Sequence, residues 1–228
     1  GKTYHTLALG RPIRDAWGRI TSWVGLNLDI TERKAEAQRL AVISAELDHR
    51  VKNILATVST ITRMTGRSSK TLEEYRDSLQ SRIRAMAAAH RQLADAKWQG
   101  MSLQQLVETE IDPYRASRVE AIHVDGPYVE LPPSLVQTLA LGFHELTTNS
   151  SKYGALANED GQLDIRWTTE GGLQIDWIES GLSGVKTPTT GGFGTTLLTR
   201  ILAAQGADVT IDYHDTGIHV RISLAHVA

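Results

Sequence analysis

At 228 residues, 41% hydrophobic and 22% charged, the chain has the make-up of a globular protein with one large domain or two small ones. A formal charge of -2 offers a polyanion no surface to seek, so nucleic acid is not expected as a partner. The absence of cysteine excludes disulfides and thiolate metal sites and suits a reducing cytoplasm, the expected location.

No apolar run approaches the roughly 20 residues that cross a bilayer, and nothing at the N-terminus reads as a signal peptide. The chain opens at Gly1, without an initiator Met, inside a strand-like pattern, so a longer protein with an upstream sensor is expected. Residues 1–30 read as strands: Ile20, Val24, Leu26, Leu28 and Ile30 fall on alternate positions, after a turn at Asp15-Ala16-Trp17-Gly18. Asp29 is placed to cap a helix and Glu32 to close a capping box.

From about 31 to 97 the pattern is helical with one break, Gly66-Arg67-Ser68-Ser69. Leu40, Ile43, Leu47, Val51, Ile54, Val58 and Ile61 step by three or four, as do Leu72, Tyr75, Leu79, Ile83, Met86 and Leu93. Two helices alone bury little surface, so a second copy of the chain is expected to complete a four-helix bundle, as a homodimer. Beyond Trp98-Gln99-Gly100 the pattern is mixed. It predicts a helix over 102–112, strands near 119–124 and 128–131, and a long helix from Pro133 to Tyr153. Strands at 163–168 and 172–179, a helix at 193–204 and a hairpin at 208–214 and 217–224 follow. Strands and helices segregated in this way predict an α+β fold, with a sandwich of about 125 residues after the helical hairpin.

Four groups of residues can carry chemistry. His49 lies two positions from both Leu47 and Val51, which turns it away from the apolar seam. A nucleophilic histidine needs that exposure; Asp48 can hold the second ring nitrogen, and Asn53, four residues on, can orient a water. The alternative is a surface histidine in a charged stretch. On the long helix, Glu145, Asn149 and Lys152 form one polar stripe flanked by His144, and Leu135, Leu139, Phe143 and Leu146 form the core-facing side. An amide oxygen for Mg²⁺ and an ammonium for phosphate suit a metal triphosphate; a solvated helix face is the alternative. On the next strand Leu173, Ile175, Trp177 and Glu179 share one face, so the carboxylate requires a donor, either an adenine amino group or a protein group. Last, Gly191-Gly192-Phe193-Gly194-Thr195-Thr196 opens a helix, where free N–H groups favour phosphate. Neither a Rossmann nor a P-loop spacing is present, and a loop without ligand is the other reading.

The order and identity of these groups resemble one family. Glu46-Leu47-Asp48-His49-Arg50-Val51-Lys52-Asn53 resembles the phospho-acceptor box of the HWE histidine kinases. His144-Glu145-Leu146-Thr147-Thr148-Asn149-Ser150-Ser151-Lys152-Tyr153-Gly154-Ala155-Leu156 is similar to that family's N box, and Trp177-Ile178-Glu179 to its Trp-x-Glu. Gly192-Phe193-Gly194 stands where these kinases carry a second glycine box, and Asp29-Ile30-Thr31-Glu32-Arg33-Lys34 resembles the exit of a PAS sensor domain.

The resemblance implies three parts: the last strands of a PAS-like sensor over 1–30, a dimerising phosphotransfer hairpin over 31–98, and an ATP-binding sandwich of the GHKL type over 102–228. It implies a sensor histidine kinase core that uses ATP and Mg²⁺, phosphorylates His49 and relays the phosphoryl group to the receiver domain of a response regulator. Carried over by position, Asn149 is the Mg²⁺ ligand, Glu145 its catalytic partner on the N-box stripe, Lys152 a phosphate contact and Tyr153 a platform for adenine. Glu179 stands where many histidine kinases have an aspartate that binds the adenine amino group. Gly181, Gly192 and Gly194 shape the nucleotide loops, and His144, Trp177 and Thr195 complete the nucleotide-binding set. Arg50 replaces the acidic residue that often follows the acceptor, which leaves Asp48 or Glu46 as any general base. The lid, 182–190, is short and rich in Gly, Thr and Pro, and mobility without nucleotide is expected. Two rivals are a degenerate phosphotransfer scaffold without ATP binding and a GHKL-type ATPase or serine kinase.

Overall fold

The computed structural model describes residues 4–115, 118–185, 193–203 and 205–225, and of Glu46, His49, Arg50, Val119 and residues 193–197 the backbone alone. Gly192 and lid residues 186–190 therefore lie outside the described residues, as do the side chains of His49 and Thr195. The chain divides into two units, Gly1–Ser59 and Thr60–Ala228.

In the first unit, β1 (Thr6–Arg14) and β2 (Ile20–Asp29) pair antiparallel from Thr6 opposite Asp29 to Arg14 opposite Ile20. Asp15 builds the turn by accepting the N–H groups of Trp17 and Arg19, and Gly18 takes the left-handed conformation at φ 79°. The helix α1 (Thr31–Ser68) begins where Asp29 accepts the Thr31 N–H. The second half of the expected capping box is missing among the described residues: Thr31 Oγ1 binds the His5 N–H, and Glu32 makes no return bond. Along α1 the seam residues Leu40, Ile43, Leu47 and Val51 are exposed.

In the second unit, the end of α1 buries Ile61 and Thr65, and α2 (Leu72–Asp95) starts at Thr71, whose hydroxyl accepts the Glu74 N–H. Its buried residues, Arg82, Ala85, Met86, Ala89 and Leu93, recur at helical spacing and run into the core of the sandwich. A tight turn follows, with Lys97 and Trp98 at positive φ and Gly100 at φ 119°, where a Cβ would stand 2.6 Å from the Leu131 carbonyl oxygen. Then come β3 (Met101–Ser102), α3 (Leu103–Arg115), β4 (Ile122–Asp125), β5 (Glu130–Leu131) and α4 (Pro133–Tyr153), with β3 paired to β5. The remainder is β6 (Gln162–Thr168), β7 (Leu173–Ser180), α5 (Phe193–Ala203), β8 (Ala207–His214) and β9 (Gly217–Leu224).

Five strands form one sheet in the order β4-β6-β7-β9-β8, parallel between β4 and β6 and antiparallel elsewhere. Period-two alternation sends Leu163, Ile165, Ile175, Trp177, Val220 and Ile222 to one face, which helices α3, α4 and α5 cover. The fold is α+β, as the segregated periodicities predict. One relationship differs from the expected division into hairpin and sandwich. Helix α2 packs directly on α4, so both faces of α4 are covered and Glu145 is buried with the core residues. No helix among the described residues is long and apolar enough to cross a membrane.

Candidate functional site

Helices α2 and α4, Glu179 at the end of β7, and strands β8 and β9 line a cavity of about 1150 Å³ within the second unit. Its size suits a nucleotide-sized ligand. Ile211, Tyr213, Ile218 and Val220 give it an apolar wall, and burial raises the Tyr213 phenol above its ordinary range. Those four were not singled out in the sequence; the inward register of two alternating strands was the available signal.

Glu179 lines the cavity and is 5% exposed, with its carboxylate held by donors of the protein itself. Its Oε2 accepts the Ser150 hydroxyl at 2.9 Å and the Ala155 N–H at 2.6 Å, and its Oε1 accepts the Trp177 indole N–H at 3.0 Å. Of the two donors expected for this carboxylate, the structure shows the protein groups. Oε1 keeps lone-pair capacity toward the cavity. Trp177 itself, 1% exposed and stacked on Phe143 at 6.5 Å, belongs to the core and does not line the cavity. The expectation that Trp177 touches the nucleotide is corrected: the large apolar ring is buried, and only its N–H reaches the site, through Glu179. Ser150 and Gly154 matter as much, though sequence reasoning gave them no role.

Along α4 the polar stripe divides. Asn149, Lys152 and Tyr153 are exposed and line the cavity, and no hydrogen bond among the described residues engages the Asn149 amide or the Lys152 ammonium. A free amide oxygen is a hard donor of the kind Mg²⁺ takes, so the donor chemistry fits that ion with Lys152 beside it for phosphate. Glu145 is otherwise placed. It is 4% exposed, and Arg82 of α2 grips both its oxygens, at 2.7 and 2.9 Å, while also reaching Thr65 Oγ1 at 3.2 Å. A freely solvated Glu145 is therefore corrected: it lines the cavity, but with its carboxylate held by a second helix that packs against that part of the stripe.

His144 also lines the cavity, but both its ring nitrogens are engaged by protein groups: Nδ1 lies 3.0 Å from Glu110 Oε2 and Nε2 lies 2.9 Å from Ser81 Oγ. Consecutive residues of α2 thus meet consecutive residues of α4. Arg82 was missed in the sequence, yet it stands in register with Met86, Ala89 and Leu93, a charge on an apolar stripe.

Gly181 sits at φ 75°, and a Cβ there would collide with the Asp160 carbonyl oxygen. It sets the path by which Leu182 enters the cavity wall, with the Leu182 N–H on the Thr216 carbonyl at 3.1 Å. Gly194 and Thr195 lie in the first turn of α5. Asp48 and Asn53 lie exposed on α1 in the first unit, His49 between them on the same helix.

Residues 46–128 match the HWE histidine kinase family. The chain is 34% identical over 224 residues to the blue-light-activated histidine kinase 1 of Erythrobacter litoralis (strain HTCC2594), a match covering 93% of this chain and 62% of that protein. It is 33% identical over 205 residues to the blue-light-activated histidine kinase of Brucella abortus (strain 2308), covering 87% of this chain and 42% of the relative. The chain therefore spans less than two thirds of the length of these relatives. Among solved structures, a blue-light activated histidine kinase from Erythrobacter litoralis superposes with TM-score 0.58 at 22% identity, over 99% of this chain and 71% of that one. The histidine kinase domain of such a protein gives TM-score 0.57 at 20% identity, over 79% and 92%. These two likenesses speak to the fold.

Proposed function

We propose that the chain is a sensor histidine kinase core of the HWE type that moves the γ-phosphoryl group of ATP to its own His49, a reading supported by the match of residues 46–128 to that family. The second part of the proposal is relay of that group to an aspartate on the receiver domain of a response regulator. The observation that carries the reading is the pairing, in one cavity, of an anchored buried carboxylate, Glu179, with the exposed amide of Asn149 and the exposed ammonium of Lys152.

Each residue has a task in this reading. Glu179 holds the amino group of adenine with the lone pair its protein donors leave open. Tyr153 and the apolar wall take the base, and Lys152 neutralises phosphate charge. Asn149 holds Mg²⁺, which draws charge from the triphosphate when bound. His49, on α1, supplies a neutral imidazole nitrogen as nucleophile, the form in which a histidine carries a free lone pair. The ring's N–H proton is released as the N–P bond forms and the bond to the β-phosphate oxygen breaks, leaving ADP. Asp48 takes the general-base role, and Asn53 orients a water for the reverse, hydrolytic direction. A homodimer through the exposed α1 seam belongs to the same proposal.

Radiolabelled ATP tests it with the wild-type chain and His49→Ala. Label that is acid-labile, base-stable and lost in the variant is the expected result. Label persisting on the alanine variant overturns the assignment of the acceptor.

A further inference from the structure

We propose that Arg82 is a positioning residue for the metal triphosphate: its guanidinium holds the Glu145 carboxylate in place, so that Glu145 accepts hydrogen bonds from water carried on the Mg²⁺ held by Asn149. The inference rests on the nucleotide-binding reading above and extends it to a residue outside the nucleotide lobe's own elements.

The pair is unlike its surroundings. The rest of the buried stripe on α2 is Ala85, Met86, Ala89 and Leu93, an ordinary apolar seam against the core. At one position that seam carries a guanidinium, and it meets a carboxylate that is equally buried, their side chains 10% and 5% exposed. A buried ion pair recovers little of the desolvation it costs, and an apolar pair of similar volume would hold two helices as well or better. Helix packing alone thus gives no reason for these residues. Position does: Glu145 lines the cavity one helical turn before Asn149, on the same side of α4.

The geometry restricts what Glu145 can do there. Arg82 Nε and Nη2 donate one bond to each carboxylate oxygen, and Arg82 Nη1 is steadied by Thr65, itself fully buried. The fork uses one lone pair on each oxygen and leaves one. Mg²⁺ dehydrates reluctantly and keeps several waters in triphosphate sites. A carboxylate one turn from the amide ligand is suited to accept from such waters, and partners of this outer kind affect metal affinity strongly. The consequence is that the metal site is complete only while α2 is seated on α4, so the acceptor hairpin supplies part of the nucleotide lobe's metal affinity.

Calorimetric titration of ATP, with and without Mg²⁺, decides the matter when applied to wild type, Arg82→Met, Arg82→Lys and Glu145→Gln, each checked for folding by thermal melting. The expected result is an ATP affinity without metal that is unchanged in every variant. The strengthening by Mg²⁺ falls about tenfold in Arg82→Met and Glu145→Gln and is partly restored in Arg82→Lys. If Arg82→Met does not fold, Glu145→Gln, which keeps the size and an acceptor oxygen, carries the test. A folded variant with the full Mg²⁺ effect overturns the role given to Arg82 and leaves nucleotide binding intact. A wild-type protein that binds no ATP overturns the underlying reading, and this inference with it.

Discussion

The Glu179 carboxylate fills the space a side chain on Gly154 would need: a Cβ at Gly154 would lie 2.9 Å from the Glu179 carboxyl carbon and 2.8 Å from Ser150 Cα, and would overlap Oε2. Gly154 has φ -111°, a value open to any residue, so close approach alone demands glycine here. Gly154→Ala is expected to push Glu179 off the Ser150 and Ala155 donors. ATP affinity falls at least about tenfold, equivalent to about 1.4 kcal/mol, in equilibrium titration. Unchanged affinity in the folded variant would show that the carboxylate's seat is not what binds the base.

Trp177→Phe separates packing from hydrogen bonding. Phenylalanine keeps an aromatic ring against Phe143 but removes the N–H that Glu179 Oε1 accepts. A lost bond to a buried charged group costs about 1.5–3 kcal/mol, with a further cost for the smaller ring. Denaturant unfolding is expected to show a loss of that size, together with weaker ATP binding. A variant as stable as wild type would mean the indole N–H contributes nothing.

His144→Leu tests the role of the N-box histidine. Both ring nitrogens serve Ser81 and Glu110, so removal strands two partly buried polar groups and costs about 2 kcal/mol of stability. ATP affinity in the folded variant is expected to move less than about threefold, below 1 kcal/mol. A loss of affinity much larger than that would assign His144 to nucleotide binding.

Asp176, on the outer face of the sheet, predicts an acid-side dependence. Burial raises its pKa, but bonds from Gln174, Arg221 and His219, with the charge of Arg221, outweigh burial and leave it below the ordinary carboxylate value. A carboxyl depressed in the folded state contributes stability that is fully present above its unfolded pKa, near 3.9, and is lost as pH falls through the lower folded value. The stability difference between wild type and Asp176→Asn should therefore be flat above about pH 5 and shrink below about pH 4. Its plateau is expected near 1 kcal/mol, since Arg221 is 45% exposed. Melting temperatures of both proteins across that range check the sign; a difference that grows on acidification would refute it.

Sequence alone determined the features that repeat at short range. The seam of α1 and α2, the polar stripe of α4 and the inward faces of β6 and β7 follow from spacings of three, four and two, because side-chain direction along an element is set by its own backbone. The same locality put Trp177 and Glu179 on one face, two residues apart, where the indole N–H reaches the carboxylate. What covers a face is a different matter. A polar stripe marks a side that is not apolar core, and its composition is the same whether water, a ligand or another helix lies over it. Only the tertiary structure set Arg82 on Glu145 and Ser81 on His144, each pair 63 residues apart in the chain, and brought Gly154 against Glu179. Those meetings depend on how separate elements pack, and no local periodicity encodes the partner.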